Sequence, residues 1–322
     1  MNNLKFEGKG FTFFKIHFVN VILTFFTVTL LYPWAKVREI KYFCQNLSLA
    51  GQPFVFTGTT RSFFKDYIKT FLVFMSIFLL CIGGGVLSGL HKETMASLPI
   101  YLATVILCTM LMYFFLPIVL HGSINYRFDH INWGEIKPTY SGKLSELVPL
   151  YFTGMLLSLL TCGIYQAWYQ VKLTRYLLQN SHFGSLKFDF SGESNKLFFI
   201  FLKGTILSFI TLGIYGIWYA KELYEYSVNN IVVRKGDQEF NLYSDANTLE
   251  VFEMMVGNML LVVLTLGIGA SWAYMRYYNF IINHCVVPAD FDFRILDESP
   301  ENEKTEPTFT HWLDKWNPKL IA

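Results

Sequence analysis

The run Thr211-Leu212-Gly213-Ile214-Tyr215-Gly216-Ile217-Trp218 decides the fold, because close relatives of it stand elsewhere in the same chain. One copy reads Thr161-Cys162-Gly163-Ile164-Tyr165-Gln166-Ala167-Trp168, and another reads Thr265-Leu266-Gly267-Ile268-Gly269-Ala270-Ser271-Trp272. A fourth, Thr27-Val28-Thr29-Leu30-Leu31-Tyr32-Pro33-Trp34, keeps the Thr and the Trp. The likeness extends outward without gaps. Four residues before each Thr stands a Leu (Leu23, Leu157, Leu207, Leu261), and seven before it stands Asn20, Gly154, Gly204 or Asn258. Fifteen residues after it comes an aromatic: Tyr42, Tyr176, Tyr226 or Phe280. Self-similarity at fixed spacing marks a repeat architecture, in which one small supersecondary unit is stacked several times.

A second marker precedes each copy, an aromatic followed two residues on by a turn residue: Phe6 and Gly8, Phe56 and Gly58, Tyr140 and Gly142, Phe190 and Gly192, Tyr243 and Asp245. Five units therefore start, but the one beginning at Gly58 has no matching Thr and Trp, and two plain apolar stretches stand in their place. The chain divides into a membrane domain over 1–294, with copies near 4–45, 138–180, 186–230 and 240–284 and a divergent two-helix insert near 54–130. The remainder, 295–322, is an acidic linker and a C-terminal tail.

Composition places these units in lipid. The chain is 53% hydrophobic and 16% charged, against about 25% charged in soluble domains. Six stretches, at 16–31, 70–90, 98–120, 147–171, 204–220 and 254–275, contain no Asp, Glu, Lys or Arg. Stretches of about 20 such residues are what a helix needs to span the hydrocarbon. The five cysteines form no Cys-x-x-Cys pair and imply neither a metal site nor a disulfide framework. A net charge of +2 excludes an electrostatic case for nucleic acid.

Gly163, Gly213 and Gly267 stand where a helix ends, Pro33 takes that part in the first copy, and the recurring Asn or Gly, Leu and Thr share a helix face suited to close interhelical packing. The chain turns there. The alternating runs before each marker, such as Leu186-Lys187-Phe188-Asp189-Phe190, read as short strands. If every unit enters and returns, all these ribbons lie on one side and the basic residues up to 294, Lys203 apart, divide 21 to 1, with Lys92 alone outside. That is the bias expected of a cytoplasmic face. The fold class is thus an all-α membrane protein, a tandem-repeat helical bundle of helix-turn-helix units with short β-ribbons on the cytoplasmic side.

Three motifs carry a family resemblance: Phe-x-Phe-x-Gly at Phe54 to Gly58 and Phe188 to Gly192, Thr-Leu-Gly-Ile-Tyr at Thr211 to Tyr215, and Tyr-Pro-Trp-Ala-Lys-Val-Arg at Tyr32 to Arg38. In these the sequence resembles the YjgN family of bacterial inner-membrane proteins of uncharacterised function, over most of the chain up to about Phe293. It departs from the motif at Thr29, where the family has Gly, and at Gly269, where it has Tyr. The resemblance implies a multi-pass protein of the bacterial inner membrane and brings no catalytic residues with it.

Eleven residues after the repeat Thr stand Arg38, Lys172, Glu222 and Arg276. A ring of these groups around a cavity would hold an anionic or amphiphilic ligand; as isolated side chains they anchor at the interface by snorkelling. Trp34, Trp168, Trp218 and Trp272 form either an aromatic binding cage or the ordinary interfacial belt. No nucleophile, base or metal constellation is visible, so the sequence points to no enzyme, no metal and no cofactor. Its partner is the lipid bilayer, and no protein partner can be named. The function it supports is binding or transport of a small anionic or amphiphilic solute; the alternative is a non-transporting membrane scaffold or regulatory protein that recruits a partner or organises lipid.

Overall fold

The computed structural model describes residues 4–90 and 97–288, so the expectations for Lys92 and for the 295–322 tail fall outside it. The described chain is mostly helical. Ten helices pair into five antiparallel hairpins: α1 (Gly10–Phe26) with α2 (Tyr32–Asn46), α3 (Thr60–Leu90) with α4 (Ser97–His130), α5 (Leu144–Leu160) with α6 (Gln166–Gln179), α7 (Ser194–Ile210) with α8 (Gly216–Asn229), and α9 (Thr248–Leu264) with α10 (Ala270–Asn283). In the four hairpins that carry the repeat, the first helix has 17 residues and ends on the repeat Thr as its C-cap.

That Thr locks the turn. In the α7–α8 hairpin the Thr211 hydroxyl donates to Leu207 O at 2.7 Å and accepts from the Tyr215 N–H at 2.9 Å. The same two bonds form at Thr27, Thr161 and Thr265. The other amides of the turn find backbone carbonyls: Leu212 donates to Phe209, Gly213 to Ser208, Ile214 to Thr211 and Gly216 to Gly213. No backbone donor between Thr211 and Ile217 is left over, which suits a turn that water does not reach.

The second turn residue is left-handed in all four, with φ of 90°, 92° and 90° at Gly163, Gly213 and Gly267. In the first copy Thr29 takes that position at 65°. Pro33 does not end α1, as the sequence suggested; it stands in the first turn of α2, where its missing N–H has no helical partner to lose. A non-glycine residue in this region stores on the order of 1 kcal/mol or more of strain. Thr29→Gly is therefore expected to raise the stability of the purified protein by about 1 kcal/mol. A thermal melt in detergent that moves down instead would contradict this reading of the turn.

Midway along each hairpin the residue seven before the Thr meets the residue eight after it. Where the first is glycine, the second is a tyrosine whose ring lies over it: a Cβ on Gly154 or Gly204 would lie well inside contact distance of the ring of Tyr169 or Tyr219. Where the first is asparagine, the second is alanine, and Asn20 and Asn258 donate to Ala35 O and Ala273 O at 3.0 and 3.1 Å. At the base the aromatic fifteen after the Thr caps the first helix. The hydroxyls of Tyr42, Tyr176 and Tyr226 donate to the carbonyls of Lys9, Lys143 and Glu193. Phe280 has no hydroxyl, and α9 alone of these helices carries a capping box, formed by Asn247 and Glu250. Tyr126 on α4 makes the corresponding bond to Thr59 O at 3.0 Å, so the long α3–α4 hairpin has the same base.

Each hairpin is flanked by two strands that pair antiparallel with each other. These are β1 (Leu4–Phe6) with β2 (Leu47–Leu49), β4 (Val55–Phe56) with β5 (Ile131–Asn132), and β6 (Pro138–Tyr140) with β7 (Ser181–Phe183). The last two are β8 (Leu186–Phe190) with β9 (Ile231–Lys235), and β11 (Tyr243–Ser244) with β12 (Cys285–Val286). The strand β3 (Gln52–Pro53) extends the first ribbon, and β10 (Gln238–Asn241) completes a five-stranded sheet in the order β10-β9-β8-β7-β6. Both feet of every hairpin are thus held at the same end. Each helix packs on the next in the chain, and α10 packs on α1, which closes the described helices into a ring. Trp272 seals this seam by stacking on Phe14 at 4.4 Å, and Gly10 leaves room for it, since a Cβ there would lie 2.5 Å from the indole.

One cysteine departs from the reading above: Cys108 is disulfide-bonded. A search for Cys-x-x-Cys spacing finds only partners close in sequence, so it carries no signal for such a bond.

Candidate functional site

Short ribbons are marginal alone, and here they share a core. Leu49, Trp133, Ile136, Phe183, Leu186 and Val233 are buried together, with Leu4, Phe54, Phe188, Phe240, Leu242 and Val287 packed around them. The Trp133 indole ties this core to the first ribbon by donating to Gln52 O at 3.1 Å. Inside the core lies a chamber of about 420 Å³, a volume within the range of small-molecule sites. Its walls include Leu4 and Leu49 of the first ribbon, Ile131 of the second, Pro138 and Phe183 of the third, Val233 of the fourth and Cys285 of the fifth. Phe54, Leu186, Phe188 and Phe240 add to a lining that is apolar nearly throughout.

Arg127, on the last turn of α4, also lines the chamber. It is exposed and makes no hydrogen bond or ion pair among the described residues. His182 is the other ionisable nitrogen base on the wall, within 3.2 Å of the Ser141 hydroxyl. Burial, reinforced by the Asp245 carboxylate, pushes the Cys285 thiol up to about 11. The thiolate is the reactive form, and a raised pKa keeps the thiol protonated at neutral pH. In a variant whose sole cysteine is Cys285, the maleimide rate is expected to climb about tenfold per pH unit from 7 to 10; a plateau below pH 9 would contradict it.

The residues eleven after each Thr are placed differently. Arg38 lies 4.4 Å over the Trp34 ring, and Lys172 donates to the Tyr165 hydroxyl at 2.9 Å. Glu222 pairs with Lys203 at 2.7 Å. Arg276 lies close to Gly257, beside a polar groove of about 320 Å³ that also holds Glu250, Glu253 and Asn279. Each engages its own hairpin, and no hydrogen bond or ion pair joins two of the four. The tryptophans are equally dispersed: Trp168 packs on Phe198 of the next hairpin, Trp218 on Tyr215, and Trp272 on Phe14. Among the described residues no three His, Cys, Asp or Glu side chains come together in a way that could hold a metal ion.

Sequence reasoning passed over Arg127 and the chamber. Arg127 directly follows Tyr126, the residue that clamps the α3 base, and that position was recognisable only once the insert was seen to share the hairpin base.

A family model described as bacterial protein of unknown function (DUF898) matches residues 1–203, well over half of the 322 residues. The chain belongs to this family. A curated relative, the inner membrane protein YjgN of Salmonella typhimurium (strain LT2), is 34% identical over 74 residues, which is 23% of this chain and 19% of that protein. The aligned segment thus spans about a fifth of the relative, and the two findings support the YjgN family read from the motifs. No solved structure matches.

Proposed function

We propose that this is an integral protein of the bacterial inner membrane, built from tandem copies of one helical hairpin, that binds an amphiphilic anion in the half-open chamber between its ribbons. The observation that carries the reading is an apolar chamber walled by the ribbons of all five hairpins, with the stem of Arg127 in its wall and no hydrogen-bond or ion-pair partner for its guanidinium among the described residues. An acyl chain would fill the apolar space, and a carboxylate or phosphate left at the edge of the apolar lining would be drawn to the Arg127 guanidinium beyond it, which is suited to both. Membrane residence is supported by the relative's name and by the helix at Leu102–His130, long and apolar enough to cross, with mean hydropathy 2.3. The reading assigns no catalytic step.

The probe is cis-parinaric acid, a fluorescent fatty acid, titrated onto the purified protein in nanodiscs against empty nanodiscs. Saturable binding is expected, weakened about tenfold by Arg127→Gln through loss of a charge-assisted bond worth about 1.5 kcal/mol, and abolished by Val233→Trp, which fills the chamber. A wild-type protein that binds neither this probe nor a lysophospholipid analogue favours the scaffold reading and defeats this one.

A further inference from the structure

We infer that only the α3–α4 hairpin crosses the bilayer and that the other four hairpins end inside it, with their tips seated in hydrocarbon about a third of the way through. The inference rests on the membrane reading above, and it is independent of what the chamber binds.

The tips are built for lipid. Leu212 and Leu266 are 95% and 94% exposed and Phe209 is 82% exposed, yet the backbone amides around Thr211 are all bonded within the turn. A turn of this kind sits in hydrocarbon without an unsatisfied donor, whereas a tip emerging among headgroups or in water would expose its largest apolar side chains.

Their depth follows from two lengths measured from the tips. The charged positions Arg38, Lys172, Glu222 and Arg276 each stand six residues into the second helix, about 9 Å below the tip at 1.5 Å per residue. On the long hairpin, Tyr126 fixes the same base as Tyr42, Tyr176 and Tyr226. The second helix of the short hairpins starts ten residues before that tyrosine, so the level of the tips on α4 is Leu116. Beyond this level α4 still exposes Leu107, Ile106 and Leu102 to its surroundings, a further 14 residues or about 21 Å. Helix α3 agrees, since it is 31 residues long against 17 and exposes Phe78, Leu79 and Leu80 past the same level. The two spans sum to the roughly 30 Å of a hydrocarbon core. Were the short tips to reach the far surface, the apolar end of α3–α4 would stand in water; were the long hairpin to stop short, the charged positions would lie deep in lipid. Only one placement satisfies both.

Cys162 lies exposed at the tip of the α5–α6 hairpin. With the other four cysteines changed to Ser, and with or without Lys92→Cys in the connection between α3 and α4, intact cells are treated with a membrane-impermeant maleimide. Position 92 is expected to label at least tenfold faster than Cys162. A nitroxide on Cys162 is expected to collide with dissolved oxygen and to be shielded from a water-soluble nickel chelate, and one on Leu212→Cys should behave alike. Where the serine background does not assemble, the wild-type chain serves, because its Cys44 is buried and its Cys285 half-buried. External labelling of Cys162 as fast as position 92, or none at position 92 in a membrane-integrated protein, overturns the inference. Release of the protein by alkaline carbonate overturns the membrane reading itself, and so the two failures are told apart.

Discussion

Replacing Gly204 by Ala is expected to open the α7–α8 hairpin and to destabilise the protein by about 3 kcal/mol, the upper end of the usual cost of overpacking. The added Cβ would lie well inside contact distance of the Tyr219 ring, which is itself held against α7. The chain already contains the remedy. Its other two repeat hairpins of known closure pair asparagine with alanine, through Asn20 and Ala35 and through Asn258 and Ala273. The double change Gly204→Asn with Tyr219→Ala should therefore recover most of the loss, although each single change is damaging. Chemical denaturation in detergent of the two single variants and the double variant measures the coupling. Additive losses would show that these positions do not close the hairpin together.

The second large effect is expected at the tip. Thr211→Val keeps the shape of the side chain but removes both the donor to Leu207 O and the acceptor of the Tyr215 N–H. Water offers replacements at a surface; hydrocarbon offers none, so the stranded groups cost about 2 to 3 kcal/mol. Thr211→Ser keeps the hydroxyl and should lose far less. Equal losses for Val and Ser, read from the same denaturation curves, would mean that the methyl group and not the hydroxyl matters, and the account of the turn would fail.

Much of the fold is legible in the sequence, but not the work of each position. The Thr, Trp and Gly spacings mark where the chain turns, because a left-handed turn residue and its lock must stand at fixed intervals. The face formed by the residues seven and four before the Thr reads as close contact between helices, without saying which helices meet. In the structure Gly204 and Asn258 close their own hairpins, and Leu207 contributes its carbonyl. The Tyr226 hydroxyl is invisible as a cap because its partner, Glu193 O, is 33 residues away. The Asn247-Thr248-Leu249-Glu250 capping box was readable, and it would have shown that the Phe280 copy needs another cap. The chamber could not be read at all: strands of two to five residues give too little alternation to say which side chains face inward. The charged positions eleven after each Thr were found by spacing alone, which records depth along a helix and says nothing of which way a side chain turns.

The account stands on one geometric claim, that the two feet of every hairpin meet and that all the ribbons lie together on the cytoplasmic side. Single cysteines at Ser48, Ser141, Ser185 and Gly236, in a background without native thiols, test it through labelling with an impermeant reagent in intact cells and in inverted vesicles. All four are expected to react only in the inverted vesicles. Labelling of Ser48, Ser141 and Gly236 in intact cells, with Ser185 silent, would put the ribbons on alternate faces and contradict the account.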